Sequence, residues 1–461
     1  MECISTGGGA VGSVQHTYRY ARPSALEVGA APRLTLETSG DANAPAPHFF
    51  DGHLREPHLV ARLLTAVHLV VGSRFHTPAN SLERAIALAD PVVTCGGGLL
   101  RFEGFSSCCS VYIRVDLLPG AYDGEVAGKG TTNVDFNAPM RAALARIRDG
   151  VDLQLAVGRE ALSLRSGGAE VIERKVALPT RWLRGMVEVQ SCQAAMRPCF
   201  SASPVEAQRF LRALPRASTS RTPLWISRGP GGLTTSTRPS EHGVRLSAVS
   251  RLRALEPLLP RARSLQVFAD PKQQATAWWL DFGATRVSLV VSSEVWRGFS
   301  GEGQALAALM HSTSGRNPVL SRVRAALDWQ AEIDPAAIAG DLGTDTGSVG
   351  DALRVLGASG LVGFDLDTQR YFHRVLPFDL SRIDALHPRL ADARRLLDDG
   401  AVTLVSNVPF EASVSSGGVL HAVREMDGQL RCTCPWFARH QGERGPCKHV
   451  LAASALHSAT H

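Results

Sequence analysis

The chain has 461 residues, a formal net charge of +6 and 44% hydrophobic residues, which is enough for two to four domains. No run of about 18 apolar residues exists to cross a bilayer, and the N-terminus, MECISTGGGAVGS, lacks the basic and apolar segments of a secretory signal. Nine cysteines, an odd number, argue against a disulfide framework and for a reducing, cytoplasmic setting.

Lys129, Lys175, Lys272 and Lys448 are the only lysines among 49 basic residues. That bias is expected of a GC-rich bacterial coding sequence rather than of selection for phosphate contacts. The charge is uneven. Residues 317–380 hold five Arg against nine Asp or Glu, a net of −4; residues 381–399 balance and 400–461 give +1, leaving +9 for residues 1–316.

In chain order, residues 1–47 read as a flexible leader and 48–213 as a first α+β region. Residues 214–243, rich in Pro, Gly, Ser and Thr, read as a linker or insertion. GEVAGKGTTN, Gly124 to Asn133, brushes against a phosphate loop but fails: Asp123 stands where the first glycine belongs and Gly130 follows the lysine. Cys108-Cys109 opens an alternating strand. The pair reads as small packed thiols, with a nucleophile as the alternative, and no fixed base is evident.

A self-resemblance carries more. Val134 opens a helix through Ile147, followed by strands at 151–157, 161–164 and 171–178 and then Trp182-Leu183-Arg184-Gly185. Val244 opens a helix through Leu259, followed by strands at 264–269, 275–282 and 285–291 and then Trp296-Arg297-Gly298. A helix and three strands, twice, predict that 244–316 duplicates the unit at 134–185, with Trp182 and Trp296 as its core anchors. The same order is similar to that of sliding-clamp modules, although two similar α+β units are more often a duplicated scaffold than a clamp.

Residues 317–380 predict three short helices and a hairpin. Leu320, Val323 and Leu327 recur at helical spacing, and Asp334-Pro335 caps a helix that Gly343 ends. Thr346 or Asp345 caps a third, closed by Gly357, and strands at 361–364 and 369–375 follow. This looks like a winged helix-turn-helix. Its net of −4 favours a protein-contact or architectural role over DNA binding, because DNA affinity rests on neutralised phosphates.

Near the C-terminus stands RCTCPWFARHQGERGPCKHV, residues 431–450, with the order Cys432-x-Cys434, twelve residues, Cys447-x-His449. Thiolates and imidazole are the donors that suit zinc, and a structural zinc wants four in a tetrahedron. Strands at 419–424 and 429–433, joined at Asp427-Gly428, deliver the first pair, and a helix from Cys447 to Leu456 the second. A catalytic zinc would need an open position and a general acid or base, and Glu443 is the only carboxylate in the loop. Four protein ligands close the shell, so the ion is read as structural.

The pattern resembles the SWIM-type zinc finger, with Pro435 and Trp436 after the second cysteine fitting that family. The resemblance covers about 400–457, inside a C-terminal region of 400–461, and implies the ligands Cys432, Cys434, Cys447 and His449 on a β-β-α frame around one Zn2+. PHFFDG at 47–52 and TTNVDFNAPMRAAL at 131–144 look like bacterial proteins that end in such a finger. That resemblance implies a non-enzymatic adaptor working with a MoxR-type ATPase or von Willebrand A-domain proteins.

The fold class is therefore α+β multidomain: duplicated α+β units, a winged-helix-like domain and the finger. The leading function is zinc-dependent docking of a protein partner, with Trp436, Phe437, Arg439, His440 and Arg444 as contact candidates. Trp436 and Phe437 equally suit the finger's own core. The alternative is a DNA- or other nucleic-acid-binding protein gripping phosphate with the finger and the basic N-terminal surface. No catalytic residues and no membrane contact are expected.

Overall fold

The computed structural model describes residues 16–18, 25–27, 33–37, 48–75, 91–125, 128–133, 138–150, 153–158, 176–178, 180–216, 222–296, 298–299, 303, 305–306, 318–376, 387–442 and 444–460. Its centre is an eight-stranded sheet built from β1 (Val92–Gly96), β2 (Leu99–Phe105), β3 (Val111–Leu117), β4 (Gly130–Asn133), β5 (Arg197–Ala202), β6 (Ser264–Ala269), β7 (Ala275–Asp281) and β8 (Thr285–Ser292), in the order β5-β6-β7-β8-β3-β2-β1-β4. Two antiparallel meanders, β1–β2–β3 and β6–β7–β8, meet where β3 pairs with β8, Val115 opposite Val287 and Ile113 opposite Leu289.

Every residue of β1, β2 and β3 is buried, because both faces of the sheet are covered. A Cβ on Gly104 would lie 2.5 Å from Val71, so that face meets helix α1 (Pro57–Gly72). Glu103 faces the other way, toward Arg374. On the α1 side, α2 (Ala138–Arg146) packs beside α1, and α4 (Pro204–Ala213), which follows α3 (Thr180–Ala195), stacks Phe210 on Trp278 at 6.4 Å and 5°.

The expected unit at 134–185, a helix followed by three strands, is corrected, because its described strands belong to two different sheets and Trp182 to a helix. Gln154–Gly158 joins a different, five-stranded sheet, pairing with Arg33–Glu37 and His48–Leu54. Val176–Leu178 pairs with His16–Tyr18, and 161–164 lies outside the described residues. Trp182 sits inside α3 and is buried, whereas Trp296 is 38% exposed and anchors no core. The helix expected from Val244 is a strand, Val244–Leu246, and then two 3-10 turns, Val249–Leu255 and Leu259–Arg261. Ala248 in the left-handed region (φ 46°) and the prolines at 257 and 260 break the helix.

Two expected flexible stretches hold structure. Within 1–47, three short strands are described, His16–Tyr18, Ala25–Glu27 and Arg33–Glu37. Within 214–243, Leu224–Gly229 and Gly232–Ser236 form a hairpin that joins Val244–Leu246. Its Gly and Pro residues mark a turn rather than a linker, with Gly232 at φ 106°.

The next region holds α5 (Pro318–Ala325), α6 (Pro335–Leu342), α7 (Thr346–Ala358) and a hairpin of β9 (Val362–Asp365) and β10 (Arg370–His373). Asp334 and Asp345 cap α6 and α7 through Ala336 N and Ser348 N, and Gly343 closes α6 at φ 60°. α7 runs one residue past Gly357, which packs against Gln190.

The hairpin docks on the charge-bearing face of the large sheet through a buried ionic seam. Asp365 pairs with Arg101 (3.4 Å) and Arg114 (3.3 Å), and Asp116 with the same two arginines (3.4 and 3.0 Å). Arg374 donates to Glu103 at 2.5 Å and to Gln190 at 3.1 Å. The Arg101 guanidinium lies 3.7 Å over Phe372. Three arginines meet three carboxylates (Arg101, Arg114 and Arg374; Glu103, Asp116 and Asp365), and all six are buried.

Candidate metal centre

The C-terminal region is larger than a β-β-α frame. Helix α8 (Pro388–Asp398) leads into a four-stranded antiparallel sheet of β11 (Val402–Asn407), β12 (Phe410–Ser416), β13 (Val419–Met426) and β14 (Gln429–Cys432). Then come the short α9 (Pro435–His440) and α10 (Lys448–Thr460). Asp427 (φ 55°) and Gly428 (φ 69°) make the β13–β14 turn, both left-handed as a two-residue type I′ hairpin requires.

Each element end presents one donor. Cys432 ends β14. Cys434 caps α9, its Sγ accepting from Phe437 N at 3.3 Å. Cys447 precedes α10 and accepts from Val450 N at 3.4 Å. His449, in the first turn of α10, turns Nδ1 toward Cys432 Sγ at 3.7 Å. All four are buried, and their donor atoms lie within 4.8 Å of one another. Sulfurs at about 2.3 Å from a tetrahedral zinc stand about 3.8 Å apart, so a slight contraction of the cluster admits the ion. Three sulfurs and one imidazole fit Zn2+, and four protein donors leave it no open position.

The surroundings suit thiolates that hold a metal. Amide N–H donors reach two of the sulfurs, the usual support for bound thiolate. Hydrogen bonding from Cys432, and then from His449, carries Cys447 down to about 4. Cys432, hydrogen-bonded to Cys447 and buried, is raised in return. Burial raises Cys434 as well, so two of the three crowded sulfurs keep their protons until a dication displaces them. Phe410, Val423, Phe437, Val450 and Ala453 form the apolar shell.

Of the contact candidates, Phe437 is buried in that shell. Trp436 is half-buried, with the Arg389 guanidinium 4.7 Å from its ring centroid. Arg439 is exposed, and His440 and Arg444 are half-buried. Two partners could not be read from the motif. Arg389 of α8 donates to Arg444 O (2.8 Å) and Pro446 O (3.0 Å), fixing the loop before Cys447. His421 of β13 stacks on His449 at 4.4 Å and 26°. Cys108 and Cys109 lie elsewhere. Cys108 is hydrogen-bonded with Ser106 and Ser110 (3.5 and 3.2 Å), and Cys109 is buried at φ 56°.

Cysteine and histidine donors delivered by a hairpin and a helix start define a zinc finger. Residues 425–456 match the SWIM zinc finger family, and this chain carries one such finger, positioned to bind one zinc ion. No curated protein matches the chain. Among solved structures, the chain is similar to Proliferating Cellular Nuclear Antigen from Entamoeba histolytica, at 11% identity and a TM-score of 0.34, over 54% of this chain and 99% of that one. It is also similar to the C. crescentus beta sliding clamp, at 16% identity and a TM-score of 0.31, over 53% of this chain and 64% of that one. Neither likeness is close enough to carry an argument. Among the described residues, no helix is long and apolar enough to cross a membrane.

Proposed function

We propose that the chain is a non-enzymatic adaptor whose zinc-bound finger docks a protein partner, in a reducing, cytoplasmic setting. The observation that carries this reading is the closed donor set: with Cys432, Cys434, Cys447 and His449 all committed, zinc shapes a surface and has no position left for a substrate. The helix-and-hairpin region, 318–376, is read as winged-helix-like and architectural. The hairpin that would serve as a wing buries its Asp365, Phe372 and Arg374 in the seam, where they meet protein rather than phosphate. MoxR-type ATPase or von Willebrand A-domain partners rest on family resemblance alone, and none of the matches supports them.

Affinity capture with wild type and Cys447→Ser side by side tests the reading. Wild type is expected to recover a partner that the variant loses, and recovery by both would overturn it.

A second reading, nucleic-acid binding by the finger and the basic N-terminal surface, draws on exposed arginines, among them Arg141, Arg146, Arg148 and Arg212. It requires an affinity for DNA that falls steeply with salt, with a slope reporting phosphate contacts. A flat or absent response leaves the docking reading in place.

A further inference from the structure

Beside the metal centre lies a cavity of about 340 Å³, walled by α8 (Arg389, Asp392), β12 and β13 (Ser416, His421) and the finger (Trp436, Lys448 and three of the four ligands). His449 lines it. With Nδ1 turned to the sulfurs, Nε2 sits on the other side of the ring, buried and with no hydrogen-bond partner. Metal-bound imidazoles ordinarily donate this second N–H to a carboxylate or carbonyl, which fixes the ring, and a buried donor without a partner is destabilising. Among the described residues no acceptor lies within hydrogen-bond distance of it.

We propose that the cavity is a socket for a carboxylate from an acidic segment of the docked partner, which completes the zinc site by accepting the Nε2–H of His449. The inference rests on the docking reading above and gives the partner's chemistry. Lys448, which makes no ion pair among the described residues and opens α10, supplies positive charge at the mouth. The finger around it is basic: Arg431, Arg439, Arg444 and Lys448 against Glu443 give +3 over 431–449. Trp436 offers an apolar wall for the stem of the entering side chain. His421, half exposed and stacked on His449, is the side chain that swings aside. A nucleic-acid backbone fits less well. A cavity of about 340 Å³ admits a single side chain end-on, not a continuous run of phosphates.

The test uses the zinc-loaded full chain, titrated with acetylated, amidated hexaglutamate and separately with oligothymidylate. Hexaglutamate should bind saturably and shift the His449 Nε2–H proton resonance. Lys448→Gln should bind it about tenfold more weakly, the loss of roughly one charge-assisted contact, with zinc content and melting unchanged. Trp436→Ala, checked for zinc content, should also weaken it. An unmoved resonance, equal affinity for Lys448→Gln, or oligothymidylate alone producing the shift would overturn the socket. In the capture experiment, loss of the partner by Cys447→Ser together with full recovery by Lys448→Gln would remove the socket and leave docking by the finger standing.

Discussion

At the scale of single residues, the metal centre was the most legible feature, because its four donors fall within eighteen residues, 432–449. The order Cys-x-Cys and Cys-x-His names the ligands without any fold. Arg389 and His421, which brace the same centre, left no trace in the motif: 58 residues separate Arg389 from Cys447, and only the sheet and α8 bring them together. Cys447→Ser should drop bound zinc from one equivalent to well under one by metal analysis, since three donors do not replace four. Phe437→Ala empties the finger's apolar shell and should cost about 3 kcal/mol in urea unfolding of zinc-loaded protein, within the usual range for a buried aromatic.

Among the elements, legibility followed local signals. Asp334-Pro335, Asp345 and Gly343 announce α6 and α7 by capping chemistry, and Asp427-Gly428 announces the β13–β14 hairpin. Arg101 and Glu103 conceal β2 from hydropathy, although every residue of that strand is buried. Those charges are intelligible only with Asp365 and Arg374 opposite them. Asp365→Asn leaves Arg101 and Arg114 short of a buried counter-charge and should destabilise the protein by about 3–5 kcal/mol, measured by denaturant midpoint. At Gly363, a Cβ would lie 2.1 Å from the Phe372 ring, so Gly363→Ala should cost about 1–3 kcal/mol by forcing the hairpin off the seam.

For the molecule as a whole, acid should attack the seam. Burial alone would raise the Asp365 carboxyl, but Arg114 and Arg101 outweigh it and hold it at about 2 against an ordinary 3.8. A depressed carboxylate stabilises the folded chain fully above its ordinary value and stops doing so as pH falls through the folded value. About 2 kcal/mol should therefore disappear between pH 4 and pH 2, read as a falling melting temperature that Asp365→Asn no longer shows. Chelation is expected to act elsewhere. Hydrogen exchange should rise across 402–460 on zinc removal while the eight-stranded sheet stays protected, because the sheet has its own core. How β3 meets β8 also bears on biosynthesis. The two strands are separated by 168 residues of chain, from Leu117 to Thr285. At ribosomal speeds of about 5–20 residues per second, β3 waits on the order of ten to thirty seconds for its neighbour to be synthesised. Until then Val111–Leu117 is an unpaired hydrophobic edge on a nascent chain, which makes this strand the point where a holding chaperone would engage.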